Sequence, residues 1–273
     1  MPRAFRLTGT TFTRPGLPTL FDLSFLAPNV LAWYAADQQV TVDGSSNVLS
    51  WGDLTGNGNA LLNTSGTNYM KQVLNVQNGK AAVQNPATTN AGTNYLSTAS
   101  AVASLGSFTS ATPFTMVAVI KANAAFARSG QPFGNILRNG NANALSGVQL
   151  LIDGLGKVNI MIKGATVGQL GAKGSTTLIV NTPYNIIATY DGSNTVAGIQ
   201  VYINGVAETM TAAFSTAIVG ALAANGPLTV GAIGNLNFAA TDYLLEVALL
   251  NIKMSAAQIA NLDAAWNQKW ATH

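Results

Sequence analysis

The strongest constraint on the fold is a series of short runs of β-forming residues, several of which end in turn signals. Asn204-Gly205 joins two such runs, and Asp153-Gly154 stands between two others. Asn-Gly favours a tight hairpin because a type I′ turn needs positive φ at both central positions. The runs lie at residues 114–121, 148–152, 157–162, 184–190, 199–203 and 206–209. This pattern predicts an all-β sandwich or jelly roll rather than alternating βαβ units.

The end of the chain predicts one amphipathic helix. Ser255 is a suitable N-cap, and Gln258, three residues later, completes a capping box. The apolar residues at helical spacing are Ile259, Leu262, Trp266 and Trp270. Their common face is expected to pack on the sandwich.

Two polar stretches rich in Asn and Gly, at 63–98 and 122–146, are predicted to be loops. Loops of that length commonly carry binding surfaces.

The charge content is unusually low. Charged residues form 8% of the chain, whereas an ordinary soluble domain has roughly 25%. A surface with so little charge repels its neighbours weakly and suits a protein packed in an assembly. The net charge of +3 is too small and scattered to indicate a nucleic-acid partner.

Several classes of protein are disfavoured by what the sequence lacks. There is no cysteine, so disulfides and thiol chemistry are excluded. The first residues have no apolar core of a secretory signal. No uninterrupted apolar run reaches about 18 residues, so membrane insertion is not expected. Release with a particle, through lysis of the host cell, would place such a protein outside without a signal.

The first 28 residues are interpreted as an N-terminal arm, and residues 29–273 as one large domain. Arg3, Arg6 and Arg14 stand among prolines and glycines, with no acidic residue before Asp22. Two interpretations remain open. The arm either lies on its own domain or docks on a neighbouring subunit, where the arginines would pair with carboxylates.

Four segments resemble the laminin-G-like, concanavalin-A-like jelly roll over about residues 29–270. They are the turn from Trp51 to Asn59, the hairpin at 184–206, the strand at 228–231, and the strand at 243–250 with its closing helix. The resemblance implies an all-β jelly-roll sandwich with a short C-terminal helix. Members include carbohydrate-binding modules, adhesion domains and bacteriophage virion components, so the family indicates fold better than function.

No catalytic site is predicted. Related glycanases carry a Glu-x-Asp-x-x-Glu cluster, because two carboxylates must flank the scissile bond. The two glutamates here, Glu208 and Glu246, lack that pattern, although Asp242 lies near Glu246. The single histidine, His273, is the last residue, and a frayed terminus would be a poor general base.

A weak calcium motif occurs after Trp51. Asp53, Thr55, Asn57 and Gly58 match the first half of an EF-hand loop, but Thr64 stands where that loop needs a bidentate glutamate. We therefore predict no cofactor, and Asp53 and Asn57 are retained only as weak calcium candidates. The alternative is that both side chains bond to the local backbone and fix the turn.

Aromatic residues suggest where a sugar would bind. Trp33 and Trp51 are interpreted as core residues. Tyr69 and Tyr95 lie in the polar stretch and are the candidates for glycan contact.

The sequence thus predicts a non-enzymatic bacteriophage virion protein on the exterior of the particle, as head decoration or a fibre-like appendage. Its expected partners are capsid or appendage subunits and further copies of itself, for instance in a trimer. The alternative is a glycan-binding adhesin or a secreted carbohydrate-binding module with host-surface glycans as partners.

Overall fold

The structure is a computed structural model of the protein. It describes residues 26–63, 66, 69–86, 94–99, 108–122, 133–139, 147–220, 222, 226–231 and 242–273. Residues 27 and 133–139 are described by their backbone alone. Arg3, Arg6 and Arg14 lie outside the described residues, so the arm and the boundary at residue 28 stay predictions.

The described residues form strands and one α-helix. The first nine strands are β1 (Val30–Ala35), β2 (Val40–Val42), β3 (Val48–Trp51), β4 (Leu61–Leu62), β5 (Lys71–Gln77), β6 (Lys80–Gln84), β7 (Leu96–Ser97), β8 (Phe114–Lys121) and β9 (Phe133–Asn139). The others are β10 (Gly147–Asp153), β11 (Lys157–Lys163), β12 (Val167–Thr177), β13 (Pro183–Tyr190), β14 (Ile199–Ile203), β15 (Val206–Ala207), β16 (Thr211–Val219), β17 (Leu228–Val230) and β18 (Tyr243–Leu250). The helix α1 is Ala256–Trp270. Short 3₁₀ turns occupy Ala27–Asn29 and Val196–Gly198.

The strands form two sheets. Sheet A has the order β15-β14-β13-β8-β18-β6-β5, and β1 also pairs with β18. Sheet B has the order β16-β12-β11-β10-β9-β17-β7-β4-β3-β2. All the pairings are antiparallel, as expected for strands joined by short turns.

The main core lies between the two sheets. Side chains from β8 and β13 of sheet A meet side chains from β10, β11 and β17 of sheet B in one apolar cluster. Trp51 is fully buried there, and its ring centroid lies 5.9 Å from that of Tyr34. The predicted all-β sandwich is therefore confirmed.

Helix α1 covers the outer face of sheet A. Leu262, Trp266 and Trp270 are fully buried and share a second apolar cluster with the outward side chains of β8 and β18. The centroids of the Trp33 and Trp266 rings are 6.1 Å apart. Ser255 accepts a hydrogen bond from the Gln258 amide, and the Gln258 side chain returns one, so the predicted capping box is confirmed. The described helix is not long enough to span a membrane.

The prediction of loops at 63–98 and 122–146 was wrong. The first stretch contains β5, β6 and β7, and the second contains β9. Strand β5 is an edge strand with a register shift and carries polar side chains, so it lacks the alternation that marks a half-buried strand. Strand β9 forms because β10 and β17 pair with it on both sides.

Candidate functional site

The turn at residues 53–59 covers the free edge of strand β1. The backbone amide of Trp33 donates to Asp53 Oδ1 at 3.1 Å, and the amide of Leu54 donates to the Trp33 carbonyl at 2.8 Å. Asn59 Nδ2 donates to the Leu31 carbonyl at 2.9 Å. These bonds occupy groups that β1 would otherwise leave open on the side away from β18.

The same turn defines the environment of the two weak calcium candidates. Asp53 Oδ1 accepts from the Thr55 amide at 3.0 Å, and Oδ2 accepts from the Asn59 amide at 3.2 Å. Asn57 Nδ2 donates to the Leu31 carbonyl at 3.1 Å. Within the described part of the chain, no three His, Cys, Asp or Glu side chains are grouped to hold a metal ion. The contacts of Asp53 and Asn57 favour the structural interpretation of this turn.

A buried charge network joins the first strand to the last helix. Trp33 Nε1 donates to Glu246 Oε1 at 2.6 Å, and Trp270 Nε1 donates to Oε2 at 2.8 Å. Lys269 Nζ lies 2.8 Å from Glu246 Oε2 and 3.1 Å from Asp37 Oδ1. The Glu246 side chain is 1% exposed, so this carboxylate is fully occupied inside the protein.

The charge of Lys269 is fixed by this network. Burial lowers its pKa, but the attraction of the Glu246 and Asp37 carboxylates outweighs burial, so the pKa is raised above its ordinary value. Sequence inspection found only Asp242 near Glu246. The fold brings Asp37 to the same lysine, and no local pattern signals that approach.

A cavity of about 310 Å³ opens beside this network, between the β1–β2 connection and the β5–β6 hairpin. It is lined by Ala36, Asp37, Gln38, Gln39, Val40, Gln72, Gly79, Lys80 and Ala81. Ligand pockets start at about 300 Å³, so the cavity has room for a small group such as one sugar unit. Amide, carboxylate and ammonium groups provide both donors and acceptors, which suits a ligand rich in hydroxyl groups.

The cavity wall is held by backbone geometry. Gln39 has φ of +51°, an uncommon conformation for a residue other than glycine. The Gly52 amide donates to the Gln39 carbonyl at 2.8 Å. A Cβ at Gly52 would lie 2.7 Å from Gln39 Cβ, so only glycine leaves room for this side chain. Lys80 Nζ lies 3.5 Å from Asp37 Oδ2 on the opposite wall.

The two candidate tyrosines lie on segments that contact each other. The Tyr69 hydroxyl donates to the Gly66 carbonyl at 2.9 Å. Asn94 Nδ2 donates to the Tyr69 carbonyl at 3.0 Å, and Tyr95 follows directly. Both tyrosine side chains are half-buried. The structure therefore brings Tyr69 and Tyr95 to one junction at the start of β5 and β7, and neither lines the cavity.

The remaining described carboxylates are also engaged. Glu208 accepts from the Thr176 amide at 2.6 Å. His273 was expected to be frayed, which was wrong: its Nε2 lies 3.3 Å from Asp263 Oδ2, and its backbone amide donates to Asn267 Oδ1 at 2.9 Å. The hydroxyl nearest His273 Nδ1 belongs to Thr272, which is only 5% exposed.

Known structures share the fold at low sequence identity. The binding domain of Paraclostridial Mosquitocidal Protein 1 has a TM-score of 0.61 and 16% identity, covering 88% of this chain and 53% of that chain. A sialidase from Trypanosoma rangeli has a TM-score of 0.55 and 12% identity, covering 89% of this chain and 33% of that chain. The botulinum neurotoxin serotype D binding domain has a TM-score of 0.50 and 10% identity, covering 89% of this chain and 52% of that chain.

These similar proteins are longer than the present chain, which spans about half of each toxin domain and a third of the sialidase. They include both binding domains and enzymes. No curated protein matches the sequence significantly.

A match to a protein-family model shows which family the chain belongs to. The model described as "Concanavalin A-like lectin/glucanases superfamily", a laminin-G-type family, matches residues 90–260, which is more than half of the 273 residues. The matched part runs from the segment before β7 to the first turn of α1, and thus includes the central strands of both sheets. The chain belongs to the concanavalin A-like lectin/glucanase superfamily.

Proposed function

We propose that this protein is a non-catalytic carbohydrate-binding domain. The observation that carries the proposal is the cavity of about 310 Å³ lined by Asp37, Gln38, Gln39, Gln72 and Lys80. Such a set of donors and acceptors matches the hydroxyl groups of a sugar. The network around Lys269 and the Gly52–Gln39 contact hold the wall in place before a ligand arrives, which reduces the ordering cost of binding.

The similar structures support a sugar ligand. One of the Trypanosoma rangeli sialidase structures was solved in complex with sialic acid, and others of the similar chains are called binding domains. Apart from Asp37 in the cavity wall, the described carboxylates have internal partners away from the cavity, which supports binding over hydrolysis. Glu246, for example, is bonded to two indoles and one ammonium.

The test is a glycan array probed with the full chain, followed by titration of the best glycan. Gln72→Ala and Lys80→Ala are expected to weaken binding at least tenfold, because each removes a polar group from the cavity wall. Gln169→Ala on β12 is the matched control, since Gln169 does not line the cavity. Binding that survives both cavity variants but is lost in Tyr69→Ala or Tyr95→Ala would move the site to the tyrosine junction.

Activity is tested separately by incubating the protein with a panel of polysaccharides and assaying new reducing ends. We expect none. Release of reducing sugar that disappears in Asp37→Asn would contradict the non-catalytic proposal.

We further propose that the domain is carried on the exterior of a bacteriophage particle as a structural protein. The observation that favours this location is the 8% content of charged residues, which suits a tightly assembled surface. Arg3, Arg6 and Arg14 would dock the arm on capsid or appendage subunits. Immunogold labelling of purified particles tests the location, and deletion of residues 1–28 should abolish incorporation. Unlabelled particles would leave a soluble or secreted sugar-binding module.

A further inference from the structure

The two charged side chains that line the cavity lie close enough to neutralise each other. Asp37 Oδ2 and Lys80 Nζ are 3.5 Å apart, and their side chains are 17% and 34% exposed, respectively. The other described residues of the lining are three glutamines and four small or apolar residues. The wall of the cavity therefore carries one negative and one positive charge, and its net charge is zero.

One residue at the end of α1 holds both of these charges in place. The Lys269 ammonium lies 3.1 Å from Asp37 Oδ1, and the Lys269 carbonyl accepts a bond of 2.9 Å from Asn78 Nδ2, at the tip of the β5–β6 hairpin. Gln77 Nε2 donates to the next two carbonyls of the helix end, at 2.9 Å each. Because Lys80 lies two residues after Asn78, the same helix end sets the distance between the two charges.

An acidic sugar gains little from such a wall. Its carboxylate is attracted by Lys80 and repelled by Asp37 at similar distances, so the two interactions nearly cancel. Entry into the cavity still removes water from the charge of the ligand, and this cost is not offset. Sites that select a carboxylate commonly provide an arginine, which makes two parallel hydrogen bonds. Among the described residues that line the cavity, none is an arginine.

A neutral sugar can use both charges at once. A carboxylate has about four acceptor sites and an ammonium has three donors, so Asp37 and Lys80 keep free capacity after they pair with each other and with Lys269. One sugar hydroxyl can donate to the carboxylate while its neighbour accepts from the ammonium. Gln72 adds an amide, whose Nε2 lies 3.5 Å from the Ala36 carbonyl. That contact is long, and a hydroxyl of the ligand can replace it.

We propose that the cavity selects an uncharged sugar and rejects acidic sugars such as uronic and sialic acids, with the Asp37–Lys80 pair as the specificity-determining element. The inference rests on the proposed sugar-binding function. It distinguishes the ligand of this chain from that of the similar sialidase, which was solved in complex with sialic acid. Salt should have little effect on binding, because a neutral ligand forms no ion pair that salt could screen.

The selection is tested with glycans that differ only in the replacement of a hexose by its uronic acid. The neutral member of each pair should bind the full chain at least tenfold more tightly. Its affinity should change less than twofold between about 0.05 and 0.5 M NaCl. Equal affinities, or a preference for the acidic member that is lost in Gln72→Ala, would overturn this inference and leave the proposed function intact. If no glycan binds in a way that depends on the cavity residues, both are wrong.

Variants of the pair should change the selectivity in a way that a loss of structure cannot. Asp37→Asn leaves the Lys80 ammonium without its carboxylate, so the ratio of the acidic to the neutral affinity should rise at least tenfold. Lys80→Gln keeps the contact between Asp37 and Lys269, and it should weaken neutral binding without raising that ratio. Asp43→Asn removes a carboxylate that lies away from the cavity and should leave the ratio unchanged. A ratio that stays constant in Asp37→Asn, or that rises in Lys80→Gln, would contradict the assignment.

Discussion

Strands β1 and β16 are both edge strands, and the chain treats their free edges differently. The turn at 53–59 covers β1 with the Asp53 carboxylate, the Leu54 amide and the Asn59 side chain. Strand β16 has seven consecutive exposed residues and two register shifts in its pairing with β12, and among the described residues a side chain covers its free edge at Ile218. The comparison indicates that the Trp51–Asn59 motif protects a sheet edge. It also shows two different treatments of an edge, since a turn covers β1 whereas register shifts interrupt β16.

The largest expected effect comes from removing the cover of β1. Asp53→Ala deletes the acceptor of the Trp33, Thr55 and Asn59 amides. Hydrogen bonds to a charged group contribute about 1.5–3 kcal/mol each, and neighbours compensate in part, so the free energy of unfolding should fall by about 3 kcal/mol. Urea denaturation measures the change.

Asp43→Ala is the matched control for that variant. Asp43 also accepts from local amides, those of Ser45 and Asn47, and is likewise half-buried, but it bonds within its own β2–β3 turn and covers no edge. Its loss should be clearly smaller. If the two variants lose the same free energy of unfolding, the bonds from Asp53 to the β1 edge contribute no more stability than an aspartate that only fixes its own turn.

The second prediction concerns pH, because Tyr34 on β1 is bonded to the same turn. Its hydroxyl donates to the Asn59 carbonyl. Burial, and then the negative charge of Asp53, raise the pKa of Tyr34 well above its ordinary value of 10.0. The unfolded chain therefore releases this proton first as pH rises, and the folded state loses stability above about pH 10.

The slope from one such group approaches about 1.4 kcal/mol per pH unit. Lys269 adds to the loss, since its raised pKa gives stability that is fully present below about pH 10.5 and declines as pH rises further toward the folded-state pKa. Urea titrations between pH 8 and 11 should show a shallower decline for Tyr34→Phe than for the unsubstituted chain. If the free energy of unfolding falls equally steeply with pH in both proteins, Tyr34 does not cause the loss of stability.

A smaller effect is expected at Asn57. Its exposed side chain donates to two carbonyls, that of Leu31 at 3.1 Å, which also accepts from Asn59, and that of Val30 at 3.4 Å, a long bond. Asn57→Ala should reduce the free energy of unfolding by about 0.5–1 kcal/mol, since the Leu31 carbonyl keeps its bond from Asn59 and the bond to Val30 is long. If calcium raises the melting temperature of the unsubstituted protein and Asn57→Ala abolishes that rise, the turn binds calcium in addition to covering the edge of β1.

The smallest effect is expected on β16. Thr216→Lys places a charge on an exposed strand without removing a described contact, so the stability of the monomer should change by less than about 0.5 kcal/mol. Thermal unfolding at low protein concentration tests this. A loss of stability above 1 kcal/mol would show that the edge of β16 at Thr216 makes contacts that stabilise the monomer and is not free.

Local signals account for the elements that the sequence predicted. Asn204-Gly205 joins β14 to β15, and Ser255 with Gln258 starts α1, because each signal acts on its own neighbours. Strands β9, β12 and β16 were not recognised. Glycine and asparagine in β9, and glycine, threonine and alanine in β12 and β16, adopt strand conformation through pairing with β10, with β11 and with each other. Tertiary pairing overrides weak local preference in such segments.

The same reasoning explains the candidate site. Trp33 and Trp51 were correctly interpreted as core residues. The cavity was not predicted, because Gln39 and Lys80 are brought together only when β1 and β6 both pair with β18. Gly52 was the available signal, since its missing side chain makes room for Gln39.

The Glu246 carboxylate has a consequence for the order of folding. Its partner Trp33 lies 213 residues before it, whereas Trp270 lies 24 residues after it. During synthesis, the hydrogen bond from the Trp33 indole to Glu246 can form only after almost the entire domain has emerged from the ribosome. Closing so long a loop is slow compared with forming a local hairpin. The N-terminal strand and the C-terminal helix should therefore become protected from hydrogen exchange together, in the last step of folding.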